Sequence, residues 1–179
     1  AEEHPQKEDL LAKWRKAQED LLAKFGFAEE EIKDLLDKVL ELDAVFAQYV
    51  LSSEESSEYA KLYHPYKWDD FKALVPELPL ADIFTKLIGQ EPDQVIVPEE
   101  RFWQAAKDIY TAANWDKLHA LLILSAVRNT TPYLTDGIRV LAGAYHRALS
   151  GTPQAQDKKK AAFYLAQGPF NQAVGLWYA

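Results

Sequence analysis

Residues 6–51 read QKEDLLAKWRKAQEDLLAKFGFAEEEIKDLLDKVLELDAVFAQYVL, with apolar side chains recurring every three or four positions. This spacing predicts two amphipathic helices, at 6–25 and at 28–51. Gly26 lies between them, in the position past a helix end that glycine commonly occupies. Because so few residues connect the two helices, we expect them to pack as an antiparallel pair.

The rest of the chain continues the helical pattern, with prolines marking its interruptions. Further helices are predicted at 54–62, 68–74, 80–88, 99–112, 115–129, 135–149, 157–167 and 170–178. The only predicted extended segment is Val95–Val97, which lies between two prolines. The fold class is therefore all-α, a multi-helix orthogonal or antiparallel bundle with at most one very short extended segment. We expect a single helical domain over 1–179, which could divide into sub-layers 1–75 and 76–179.

The charge balance restricts the classes of partner. Asp and Glu outnumber Lys and Arg by 28 to 20, so the formal net charge is −8. Such a surface repels phosphate backbones and anionic lipids, and we expect neither nucleic acid nor a membrane as partner. No uncharged apolar run reaches the roughly 18 residues that a bilayer span requires. The chain has no cysteine, which fits a reducing compartment.

The histidines do not form a recognisable catalytic pattern. They are His4, His64, His119 and His146, and no pair has the His-Glu-x-x-His spacing. Catalytic zinc needs about three protein ligands on a fixed frame together with an open position. The sequence therefore predicts no catalytic residue and no metal ligand, and it favours packing roles for His119 and His146.

Two surface features have both a functional and a structural interpretation. Tyr63, His64, Tyr66 and Trp68 belong to the densest aromatic segment, which could contact a peptide or protein partner or could pack an irregular stretch of chain. Lys158–Lys160 could contact an acidic partner or could remain solvated. The structural interpretation is favoured for both features, and the four aromatic-segment residues remain the candidate peptide contact.

Several segments resemble one known family. Arg147–Thr152 followed by Ala173–Tyr178 resembles the Leu-x-Gly-Thr and Ala-x-Gly-x-Leu-Tyr stretches of neprilysin-family zinc endopeptidases. Tyr63–Tyr66 and Pro92–Val97 resemble that family's Tyr-Asn-x-Met-Thr segment and its Val-rich connector. The run Leu51–Pro65 is similar to streptococcal-type members of the bacterial oligopeptidase O branch. The resemblance covers the whole chain in order and corresponds to the amino-terminal helical region of the family.

Three departures accompany this resemblance. His64 stands where many members have asparagine, and Lys160 stands near a position where many have an Arg-Trp pair. The cysteines of extracellular members are absent, as in bacterial ones, which implies a cytoplasmic protein.

The resemblance implies a helical, access-restricting lobe of a bacterial zinc metalloendopeptidase that hydrolyses short peptides. The family's zinc ligands and general base lie downstream of this region, so none of them can be assigned to a residue of this chain. Zinc is then a cofactor of the parent enzyme and not of this chain. The implied partners are the catalytic zinc lobe of the same polypeptide and peptide substrates.

Two further expectations follow from the same resemblance. An excised lobe should expose an apolar inter-lobe surface, for which Leu176, Trp177 and Tyr178 are candidates, and it should self-associate through this surface. The alternative is a stand-alone or engineered helical module that binds a peptide or protein through the aromatic segment.

Overall fold

A computed structural model describes residues 7–178, and most of these residues are helical. The α-helices in this described part are α1 (Lys7–Lys24), α2 (Glu29–Phe46), α3 (Ser53–Ser57), α4 (Trp68–Leu74), α5 (Leu80–Ile88), α6 (Glu100–Ile109), α7 (Trp115–Thr130), α8 (Asp136–Ala142), α9 (Ala144–Ser150), α10 (Lys158–Gln167) and α11 (Asn171–Tyr178). Short 3₁₀ helices lie at Tyr59–Leu62, Ala112–Asn114 and Thr131–Tyr133. The predicted all-α fold class is confirmed.

The chain divides into two compact units. Unit 1 comprises Ala1–Leu36 with Leu122–Ala179, and unit 2 comprises Asp37–Leu121. The single domain with sub-layers 1–75 and 76–179 stays a prediction. No helix among residues 7–178 combines the length and the apolar character that crossing a membrane requires.

Unit 1 is organised around α1, which packs against α8 and α9. Leu21 and Leu22 near the end of α1 are almost completely buried, as their place on the apolar stripe predicts. Gly26 follows with a φ of 91°, a left-handed conformation that costs glycine no steric clash. The chain can therefore turn sharply from α1 into α2.

Unit 2 contains two apolar clusters. One centres on α4 and comprises Trp68, Phe71, Val75, Leu80, Val97 and Ala106. The other joins α2 to α6 and comprises Leu42, Ala105 and Ile109. These clusters hold α4 against α6 and place Trp68 of the aromatic segment in a packed core, with Tyr66 packed against it.

A second strand accompanies the predicted extended segment. Strand β1 (Pro65–Lys67) pairs antiparallel with β2 (Gln94–Ile96), with Tyr66 opposite Val95. Strand β1 falls in the gap between the helices predicted at 54–62 and 68–74, because a strand of three residues with a leading proline has almost no periodic signal. The partner strand lies 29 residues away, so only tertiary structure brings the two together.

Three predicted helices end early or split in two. The helix predicted at 28–51 ends at Phe46 and continues as turns to Val50. The segment predicted as one helix at 135–149 divides into α8 and α9 at Gly143, a residue that weakens a helix interior. The segment predicted at 54–62 becomes α3 followed by a 3₁₀ turn.

Helix α3 begins with a capping box, as the Ser-x-x-Glu spacing indicates. The Ser52 hydroxyl accepts a hydrogen bond from the Glu55 backbone N–H at 3.2 Å, and the Ser52 N–H donates to Glu55 Oε2 at 2.8 Å. Arg101 Nη2 donates to the same Glu55 oxygen at 2.9 Å, which ties this short helix to α6.

We expect Ser52→Ala to destabilise α3 locally, because the Glu55 N–H loses its acceptor. The cost should be about 1 kcal/mol, which corresponds to roughly fivefold faster amide exchange at Glu55 and Ser56. Ser53→Ala is the matched control, since the Ser53 hydroxyl makes no hydrogen bond within residues 7–178. Equal exchange rates in the two variants would contradict the capping assignment.

Candidate functional site

The four residues of the predicted peptide contact do not share one open surface. Tyr63 is exposed, whereas His64 and Tyr66 are partly buried on either side of Pro65. Trp68 is 6% exposed and lies in the core of unit 2. Hence only Tyr63 presents most of its ring to solvent, and the role of these residues as a peptide contact stays a prediction.

Glu100 on α6 lies close to two polar side chains in and next to β1. Tyr66 Oη donates a hydrogen bond to Glu100 Oε1 at 2.5 Å, and His64 Nε2 lies 3.7 Å from Glu100 Oε2. The hydrogen bond to this carboxylate raises the pKa of the Tyr66 hydroxyl. Glu100 therefore fixes the ribbon of β1 and β2 to α6 while leaving His64 half-exposed.

Glu91 makes the corresponding connection for α4. Its Oε2 accepts a hydrogen bond from the Trp68 indole N–H and lies 3.0 Å from Lys72 Nζ. The ammonium group also pairs with Asp69 at 3.0 Å and lies 5.5 Å from the Trp68 ring centroid. The indole N–H and the Lys72 charge both lower the pKa of the Glu91 carboxyl.

This lowered pKa predicts an acid-dependent contribution to stability. A carboxylate with a lowered pKa in the folded state stabilises the protein above its ordinary pKa and loses this effect as the pH falls through the folded value. We expect Glu91→Gln to remove that part of the pH dependence, measured by urea unfolding between about pH 7 and about pH 3. Glu77→Gln serves as control, because no side-chain partner of Glu77 occurs among residues 7–178. Parallel curves for wild type and Glu91→Gln would contradict the assignment.

The predicted inter-lobe residues lie at the end of α11. Leu176, Trp177 and Tyr178 are 83%, 85% and 88% exposed. Neither α10 nor α11 contains a buried residue, and Phe163, Tyr164 and Phe170 on or between them are also exposed. This is an unusual amount of aromatic surface for two adjacent helices, although its role as an inter-lobe surface stays a prediction.

The described residues do not provide a fit for zinc. Among residues 7–178, no group of three His, Cys, Asp or Glu side chains is arranged to hold a metal ion. His119 is exposed, and its ring stacks on Trp115 with ring centroids 5.9 Å apart. His146 is exposed, and His4 lies outside the described residues. No catalytic step can therefore be derived through zinc from these side chains.

The connecting residues Glu91, Glu100 and Lys72 are absent from the sequence predictions. Glu91 follows its indole donor by 23 positions, and Glu100 follows Tyr66 by 34 positions. No helical or strand periodicity relates residues so far apart, and a carboxylate at a helix start, such as Glu100, is usually explained by the helix dipole. Pairing of β1 with β2 is the signal that would have brought them together.

Two solved bacterial structures contain a region with the same fold as this chain. The crystal structure of PepO from Lactobacillus rhamnosis matches 98% of this chain and 28% of that chain, with a TM-score of 0.90 and 26% identity. The open-state cryo-EM structure of the zinc metalloprotease Zmp1 from Mycobacterium tuberculosis matches with a TM-score of 0.83 and 16% identity over the same shares, which shows the fold alone.

Comparison with related sequences identifies the family of this chain. A family model for an amino-terminal region, described as peptidase family M13, matches residues 1–179. A candidate zinc metalloproteinase from the scaA 5′ region of Streptococcus gordonii is 93% identical over 179 residues, and a neutral endopeptidase of Lactococcus lactis subsp. cremoris is 33% identical over 177 residues. The chain belongs to peptidase family M13, which confirms the predicted relationship to the neprilysin family. It spans 32% and 28% of the lengths of these two relatives.

Proposed function

We propose that this chain is the helical, access-restricting lobe of a zinc metalloendopeptidase that hydrolyses short peptides. Its partner is a catalytic zinc lobe in the same polypeptide. Membership of family M13 supports the metallopeptidase class, and the relatives are about three times as long as the matched region. The zinc ligands and the group that activates water then belong to residues outside this chain.

The observation that carries this proposal is the apolar surface of α10 and α11. Both helices expose aromatic side chains and bury none of their own residues. Water-exposed apolar area of this extent is unfavourable by roughly 25 cal/mol per Å² relative to burial. Helices with such faces are typical of an interface whose partner lies elsewhere in the polypeptide or in another molecule.

The proposed contribution of this lobe to catalysis is steric. Packed helices with well-filled clusters keep their shape when a substrate approaches, because close-packed interiors deform little. Helices that stand opposite a catalytic lobe would admit a short flexible peptide and exclude a folded protein. The lobe would thus select substrates by size, without contacting the bond that is cleaved.

The test compares the 179-residue chain with the full-length polypeptide from its gene. Zinc content is measured by atomic emission, and cleavage is measured with a short internally quenched peptide. We expect the full-length protein to hold zinc and cleave the peptide, whereas the 179-residue chain does neither. Specific zinc-dependent cleavage by the 179-residue chain would contradict the proposal, as would a full-length product without peptidase activity.

A binding module remains the second candidate, because Tyr59 and Tyr63 are 82% and 63% exposed in the aromatic segment. Exposed tyrosines are common anchors in peptide-binding surfaces. The test measures binding of unstructured peptides to the 179-residue chain. Saturable binding would favour this function if the double variant Tyr59→Ser/Tyr63→Ser abolishes it. The control for that measurement is Trp115→Ser, which alters an exposed aromatic residue outside the aromatic segment.

A further inference from the structure

Unit 1 contains an open groove of about 690 Å³ on one side of α10. We call it the α10 groove. The segment from Pro132 to Arg139 forms one wall, and α10 forms the other. Tyr133 and Tyr164 stand at its edges with 74% and 51% of their surfaces exposed. The groove is thus large enough for an apolar side chain with its flanking backbone, and its rims are aromatic.

Arg139 holds the groove in shape. Its guanidinium pairs with Asp136 at 2.7 Å and donates a hydrogen bond from Nη2 to the Gln156 carbonyl at 2.9 Å. The first contact stays within α8, and the second joins α8 to the segment that leads into α10. Because both walls are connected before any partner arrives, binding would require little ordering of the groove itself.

The α10 wall presents small side chains. Lys158, Ala161, Ala162 and Leu165 line the groove at helical spacing i, i+3, i+4 and i+7, so they lie on one face of the helix. The two alanines leave room for a partner's backbone to approach α10 closely. Lys158 lies at the beginning of this face, where the walls meet solvent.

The start of α10 is an isolated positive region on an acidic protein. Lys158, Lys159 and Lys160 are exposed, and within residues 7–178 no carboxylate pairs with their ammonium groups. Asp157 caps the helix, because its Oδ1 accepts from the N–H groups of Lys159 and Lys160 at 2.9 and 3.2 Å. The chain as a whole has a net charge of −8, so three adjacent cations beside an apolar groove are not explained by the general surface charge.

We propose that the α10 groove binds an acidic segment of the same polypeptide that lies outside these 179 residues. An apolar side chain of this segment fills the space between Tyr133 and Tyr164, and its carboxylates pair with the lysines at the start of α10. The inference rests on the proposed function, because that function supplies the remaining polypeptide. Two observations support an occupant from the same polypeptide. The lysines complement an acidic segment, and 68% of the streptococcal relative (100% minus 32%) lies outside the matched region.

Lysine footprinting of the full-length protein tests the proposal directly. The folded protein is treated briefly with N-hydroxysuccinimidyl acetate, and acetylation is quantified by mass spectrometry. We expect Lys158–Lys160 to react on the order of tenfold more slowly than Lys24, Lys86 and Lys107, which are exposed and have no ion pair among the described residues. Acetylation of Lys158–Lys160 at the rate of these controls would overturn the proposal.

A matched pair of variants identifies the occupant. Lys158→Glu/Lys159→Glu/Lys160→Glu should release the segment and increase nitration of Tyr133 and Tyr164 several-fold, whereas Lys24→Glu/Lys86→Glu/Lys107→Glu changes the net charge equally and should leave nitration unchanged. A photoreactive residue at position 162 should cross-link to one acidic peptide beyond residue 179. Cross-links only between two copies of the groove would overturn the proposal in favour of self-association.

The outcomes also separate this inference from the proposed function. Full-length protein that cleaves short peptides, yet leaves these lysines fully reactive, refutes the groove assignment alone. A full-length product without zinc-dependent cleavage refutes the proposed function, whereas the acetylation rate of Lys158–Lys160 in that product remains a separate measure of whether the α10 groove is occupied.

Discussion

Replacing Trp68 with alanine should lower the free energy of unfolding by about 3–5 kcal/mol, the usual cost of removing a large buried aromatic side chain. The ring lies 4.7 Å from the Phe84 ring and 6.0 Å from the Phe71 ring, measured between centroids. Its loss leaves a cavity in the cluster that holds α4, and Glu91 loses its indole donor. Because domains have only about 5–15 kcal/mol of stability, unit 2 should unfold at a much lower urea concentration.

Two variants separate the contributions of the Trp68 side chain. Trp68→Phe keeps most of the apolar volume, so it should lower the free energy of unfolding less than Trp68→Ala does. It still removes the indole N–H, so the hydrogen bond to Glu91 is lost in both variants. Trp177→Ala is the exposed control, and it should change stability by less than about 0.5 kcal/mol. An equal effect of Trp68→Ala and Trp177→Ala would show that the α4 cluster does not stabilise the folded chain.

Introducing Leu176→Asp with Trp177→Asp should weaken self-association of the 179-residue chain by about a hundredfold or more. Apolar side chains that are more than four-fifths exposed gain free energy when they pack together, and a buried unpaired carboxylate is costly. Sedimentation velocity over a range of concentrations measures the effect. The wild-type chain should shift toward a dimer or larger species as its concentration rises.

The control for this experiment is Leu87→Asp, which adds a charge at another exposed leucine, on α5 in unit 2. It should leave the association unchanged if α11 provides the contact. A wild-type chain that stays monomeric at the highest concentration would contradict the predicted self-association, and an equal effect of Leu87→Asp would contradict its location.

The helical part of this fold was predictable because its signals are local. The spacing of Leu21 and Leu22, the glycine after α1 and the capping box at Ser52 each involve residues within one or two turns. The predicted helices at 68–74 and 80–88 agree with the observed bounds of α4 and α5. Each of these segments lies between prolines or glycines that fix its ends.

The remaining features depend on residues that are distant in sequence. Strand β1 forms only because β2 pairs with it, and Glu91 and Glu100 gain their roles from that pairing. Helix propensity alone does not predict whether residues 135–149 form one bent helix or two short helices that meet at Gly143. For the same reason, the α10 groove has no sequence signature beyond its lysines.

Trp68 is a residue that the sequence singles out while leaving two roles open for it. The aromatic density around it suggests either a contact surface or a packed core, and a tryptophan is a suitable residue for either role. Burial and the hydrogen bond to Glu91 place Trp68 in the core, whereas the neighbouring Tyr63 remains at the surface. Composition could not separate the two, because Tyr63 and Trp68 flank β1 and the burial of Trp68 depends on residues distant in sequence, such as Val97 and Ala106.

The proposed restriction of access to a catalytic centre elsewhere in the polypeptide is tested most directly by the dependence of cleavage on substrate length. One cleavable sequence is presented to the full-length protein in a peptide of roughly 10 residues and within an unfolded chain of roughly 150 residues, and kcat/KM is measured for each. We expect kcat/KM to fall on the order of a hundredfold for the long chain, since it does not fit between the lobes. Equal values for both substrates would contradict an access-restricting role for these helices.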